Sequence, residues 1–233
     1  VPLMQFELVI DGGLLLEDPN KVGVSNLMAR MMTQGTSKKT PVQLEEAIDQ
    51  LGASITVSAG TEDVRIRVNS LSRNYPATMA LLQEILLEPR WDEKEFELLK
   101  QSTISQIRQQ EANPTAIAQN SYNQLIFGKD NIRSKNLLGT IESVNAISLD
   151  DLKSFYSKSM SPVFAKMHIV GSLDKTAITN PLAALAANWK SKPVNIPVYA
   201  TPKAPTKSQV YFYDVPDAKQ SVVRFGYPAL AAT

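Results

Sequence analysis

The chain has 233 residues, 43% of them hydrophobic and 20% charged, with a net charge of +1 and no cysteine. The absence of cysteine excludes disulfides, thiolate metal sites and a cysteine nucleophile. The near-neutral balance gives no basic run for nucleic acid or an anionic membrane, and no apolar run nears the roughly 20 residues a bilayer span requires, so neither is an expected partner.

Residues 3–10, LMQFELVI, read as a buried strand, followed by turn residues in DGG and EDPNKVG. GVSNLMARMMTQGT, residues 23–36, reads as one amphipathic helix with a Gly-Thr stop. TPVQLEEAIDQLG is a second helix, with Thr40 as N-cap, Pro41 at the first helical position and Gly52 at the stop. ASITVSAG and DVRIRVNS alternate with period two around GTE and form an expected antiparallel hairpin. Three helical stretches follow, ending at Pro89, Pro114 and Gly128, and then SLDDLKSFYSKSM with Ser148 as its cap. AKMHIVGS returns to strand, and residues 175–188 to helix.

Hairpin and helices that do not strictly alternate predict an α+β fold, with helices flanking an antiparallel sheet over a first domain of residues 1–189. Residues 190–208, with Pro193, Pro197, Pro202 and Pro205, read as an extended linker. QVYFYDV and SVVRFGYP in 209–233 are expected strands, the start of a second similar domain that the chain does not complete. An opening inside a strand, without an initiator Met or a basic leading segment, reads as part of a longer polypeptide with no visible signal peptide.

Residue types alone nominate no catalytic group. His168, on the apolar strand MHIVG, is the single histidine, and one imidazole builds neither a metal site nor a serine triad by itself. No GxSxG elbow and no phosphate-cradling glycine pattern is present. Glu93, Glu95 and Glu97 favour the positive end of a helix dipole, and Glu45 and Glu46 suit a solvated face.

Element order carries more. GVSNLMARMMTQGT, LEEAIDQLGASITVSAGTEDVRIRVNSLSRN, LLQEILLEPRWDEKEFELLKQSTISQIRQQEANP, GTIESVNAISLDDLKSFY and the strand ending VGSLD come in an order that resembles the pitrilysin/insulinase family of zinc peptidases, the inverzincins. The resemblance covers nearly the whole chain. In that family the first helix carries H-x-x-E-H. Laid on this chain without gaps, the first His falls at Asn26, the Glu base at Ala29 and the second His at Arg30. Anchoring on Ile107 and Pro114 places the third ligand, a Glu, at Gln106.

The resemblance therefore implies a degenerate metal site and no zinc in this chain. Zinc takes lone pairs from imidazole and carboxylate, whereas a guanidinium has none to give and carries a repelling charge. Ala29 cannot take a proton from a bound water. Family members pair two such halves, fused or separate, into a clamshell around a chamber; one half holds zinc and the other is non-catalytic. The expected partners are a zinc-bearing H-x-x-E-H half and a peptide substrate, with TVSAG in the hairpin as a strand open to β-docking. Non-catalytic halves of this family supply an Arg and a Tyr to the substrate, which points to Arg224 and Tyr227, with Gly226 as a bulge that lets both converge. The competing expectation is a structural scaffold, like the respiratory core proteins of the same fold; the sequence leaves the compartment open, and exported bacterial relatives make the periplasm a plausible one.

Overall fold

Alternation builds the sheet. In β1 (Leu3–Asp11) every second side chain, Met4, Phe6, Leu8 and Ile10, is buried. β2 (Ser54–Ala59) buries Ile55 and Val57, and β3 (Asp63–Leu71) buries Val64, Ile66 and Val68. β4 (Ala165–Gly171) completes an antiparallel sheet of order β2-β3-β1-β4. Phe6 stands opposite Val68 on one side and Ile169 on the other, so a slip of one residue would carry this row out to solvent. The opposite face is polar, and there Glu7 accepts from Arg67 Nε at 2.8 Å. The computed structural model describes residues 2–203, 206–216 and 218–228.

Eight helices flank this sheet among the described residues, the α+β arrangement expected from the sequence: α1 (Val24–Met31), α2 (Pro41–Gln50), α3 (Tyr75–Leu87), α4 (Glu93–Glu111), α5 (Pro114–Phe127), α6 (Ile141–Ala146), α7 (Leu149–Ser159) and α8 (Lys175–Asn188). Local chemistry sets their ends. Thr40 and Gln43 close a reciprocal capping box on α2, and Gly52, at φ 56°, lies just past its end. Ser148 and Asp151 do the same for α7. Leu8, Leu27, Ile66 and Leu82 are wholly buried in the core between sheet and helices, each worth on the order of 2 kcal/mol.

Two expectations differ from the structure. The helix expected over 23–36 spans only Val24–Met31. Beyond it the N–H groups of Thr33 and Gln34 bond back three residues, to Arg30 and Met31, and Thr36 bridges Lys39 instead. The expected strands in 209–215 and 221–228 form no ladder among the described residues. Their apolar side chains stand in solvent, with Val210 96% and Phe225 94% exposed. Two isolated strands cannot pay for their own ordering without a sheet to join.

The proline-rich stretch packs back on earlier residues of the chain. Ile196 and Tyr199 pack on a small cluster of Leu14, Leu15, Val22 and Ile132, and the Tyr199 hydroxyl donates to the Leu15 carbonyl at 2.7 Å. Pro205 lies outside the described residues, as do 217 and 229–233 of the last segment.

Candidate functional site

The site rests on α1. Helix α1 is buried on almost every side, with Val24, Ser25, Leu27, Met28, Ala29 and Met31 inside, and it packs on β2, α4 and α7. Its N-terminus is held by a carboxylate rather than by a local cap. Glu17, 5% exposed, accepts from Gly23 N at 2.8 Å and Ser25 N at 2.7 Å. Burial pushes the Glu17 carboxyl up to about 7, outweighing the hydrogen bonds donated to it. The loop before α1 is locked from the other side by Gly139. At φ 79° its backbone fits where a Cβ would fall on the Val22 carbonyl oxygen, and the same oxygen accepts from Ser143 Oγ at 2.7 Å.

Asn26, Ala29 and Arg30 follow on α1 at i, i+3 and i+4, on one face. The methyl of Ala29 is wholly buried, and the Asn26 Nδ2 atom is buried without a hydrogen-bond partner. Arg30 reaches α4, where Nη1 donates to Thr103 Oγ1 at 2.8 Å and Nη2 to Ser102 Oγ at 3.3 Å. Burial holds the guanidinium below its ordinary pKa. Among the described residues no carboxylate pairs with it. Gln106 lies on α4, exposed, one turn beyond Thr103. So α1 and α4 do meet at this face, and the contact is a cation on two hydroxyls.

A zinc ion does not fit this set. Its would-be ligands are an amide with a buried nitrogen, a guanidinium turned onto hydroxyls and an exposed amide, with a methyl at the place of a base. Among the described residues no three of His, Asp and Glu gather closely enough to hold a metal.

Arg224 and Tyr227 are both exposed, Tyr227 by 77%, and neither makes a hydrogen bond or ion pair among the described residues. The expected bulge at Gly226 has no strand to interrupt; Gly226 lies beside Tyr122 of α5 instead. His168 is exposed on β4 opposite Glu7. What sequence reasoning missed is the pair Thr103 and Glu17. A serine or threonine within a helix, or a Glu in a turn, carries no signal of a partner on another element.

Comparison with known proteins agrees on one family. The profile of the insulinase family (peptidase family M16) matches residues 3–139, and that of the peptidase M16 inactive domain matches residues 146–233. The non-peptidase homolog YmxG of Helicobacter pylori is 27% identical over 98% of this chain and 52% of its own length. An uncharacterized zinc protease of Streptomyces coelicolor is 23% identical over 72% of this chain and 36% of its own. Among solved structures, a peptidase M16 inactive domain from Pseudomonas fluorescens superposes with a TM-score of 0.80 at 21% identity, over 88% of this chain and 50% of that one. Pitrilysin gives 0.74 at 17%, over 86% and 22%. The chain spans about half or less of the length of these relatives. None of its described helices is long and apolar enough to cross a membrane.

Proposed function

The chain belongs to the insulinase family, peptidase family M16, and on that premise we propose that it is part of a non-catalytic half that works beside a zinc-bearing H-x-x-E-H half in peptide cleavage. One observation carries the reading. At the face where α1 and α4 meet, Arg30 is bonded to Thr103 and Ser102, so the cation there is a side chain. A guanidinium cannot activate water, and Ala29 cannot take its proton, so hydrolysis must be done elsewhere.

In this reading the half contributes wall and grip. β2 is an edge strand of the sheet, and an open edge offers main-chain hydrogen bonds to an extended peptide. Arg224 and Tyr227 are the candidate contacts to the scissile region, a guanidinium to polarise a carbonyl and a phenol to donate to the developing oxyanion. The partner half holds the zinc.

The test is hydrolysis of fluorogenic peptides by the H-x-x-E-H half, zinc present, with and without the full-length protein that contains this chain. Cleavage that needs both halves, and that falls roughly tenfold or more in Arg224→Ala or Tyr227→Phe, is the expected result. A partner that cleaves equally well alone would overturn the reading and leave a scaffold.

A further inference from the structure

A metal site that has lost its metal need not be inert, and the charge it now carries has the opposite preference. The α1–α4 face carries one positive charge, on Arg30, among neutral amides and hydroxyls. Arg30 presents five N–H donors, and Thr103 Oγ1 and Ser102 Oγ account for one each on Nη1 and Nη2. Asn26 Nδ2, one turn earlier on the same face, is buried and bonded to nothing. Gln106 follows on α4, exposed. The Thr103 hydroxyl that receives Arg30 is itself committed as a donor, to the Leu99 carbonyl at 2.8 Å. No acidic side chain among the described residues neutralises the guanidinium.

A half-buried charge without a counter-ion is unusual, because leaving water costs several kcal/mol unless an opposite charge is brought to it. Lys100 also lacks a carboxylate and donates to the Asn145 and Ile147 carbonyls, whereas three other half-buried cations each have one. Lys39 meets Glu84 at 2.8 Å, Lys21 meets Asp151 at 2.6 Å, and Arg65 meets Asp63 at 2.8 Å. Arg30 is half-buried like these three, and it has only hydroxyls. Its guanidinium fork matches a carboxylate in geometry as well as charge.

We infer that the Arg30 face, flanked by Asn26 and Gln106 on a helix pair of which α1 packs on edge strand β2, is a binding site for a carboxylate of a bound peptide. The inference rests on the peptide-docking role proposed above and names what the vacated position would recognise. A carboxylate can come from a peptide C-terminus or from an acidic side chain, and the two are separable.

The probe is a fluorescein-labelled decapeptide of Ser, Val, Thr and Gly, read by anisotropy with the full-length protein at low salt. It is made with a free C-terminus, with a C-terminal amide, and as an amide carrying one internal Glu or Gln. The expected result is binding about tenfold tighter for the free acid than for the amide, for the Glu form than for the Gln form, or for both. Which pair differs identifies the source. Arg30→Met removes the difference, and so does Gln106→Glu, which sets a fixed carboxylate beside the guanidinium at an exposed position where folding is not at stake. Equal affinity of all four peptides overturns the carboxylate site but leaves peptide docking standing. No binding of any of them overturns both.

Discussion

Glu17 holds the start of α1 and titrates where it can be watched. Its carboxyl is shifted from 4.5 to about 7 by burial. A group whose folded pKa lies above its unfolded value stabilises the native state fully below the unfolded pKa. It loses that contribution as pH rises through the folded one. At about 1.4 kcal/mol per pH unit, the interval from 4.5 to about 7 is worth about 3.5 kcal/mol, of which about 3 kcal/mol is lost above pH 4.5. Glu17→Gln keeps an oxygen for one of the two N–H donors, Gly23 or Ser25, and cannot ionise. The assay is urea unfolding of wild type and variant at intervals from pH 4.5 to 8.5. Subtracting the two curves cancels the other carboxylates, including Asp92 and Asp151, whose pKa values are lowered. Wild type should lose about 3 kcal/mol relative to Glu17→Gln as pH rises, with most of the loss between 5 and 8. A flat difference, or one rising with pH, would mean that the two N–H donors and the helix dipole outweigh burial.

Three further outcomes follow from the packing. Gly139→Ala forces a Cβ onto the Val22 carbonyl at positive φ and should cost about 2–4 kcal/mol by urea unfolding. Thr40→Ala removes one arm of the capping box on α2 and should cost about 1 kcal/mol in thermal unfolding. Arg30→Met gives up two bonds to hydroxyls but also an unpaired half-buried charge, so its unfolding free energy should stay within about 1 kcal/mol of wild type.

What the sequence made legible was what is settled locally. Thr40, Pro41 and Gly52 mark α2 because caps act within one turn, and the alternation of β2 and β3 marks a hairpin because each strand has one buried face. Helix α6 escaped notice: six residues are too few to show a period, and it is fixed by a capping box of Thr140 and Ser143. Helix α5 was legible although none of its residues is fully buried, since Pro114 and Gly128 bound it. Residues 209–228 keep the pattern of strands, but pairing needs a neighbour, and pattern alone does not provide one. The site divides the same way. Spacing puts Asn26, Ala29 and Arg30 on one face of α1, while the hydroxyls that receive Arg30 lie 72 and 73 residues away on α4, beyond any local signal.

The central claim is that α1 and α4 keep the frame of a zinc site whose ligands have been replaced. It is tested most directly by calorimetric zinc titration of the wild-type protein and of Asn26→His/Arg30→His/Gln106→Glu, with folding checked by circular dichroism. The account predicts no stoichiometric zinc in wild type and one zinc per chain in the folded triple variant. One tightly held zinc in wild type, or none in a correctly folded triple variant, would contradict it.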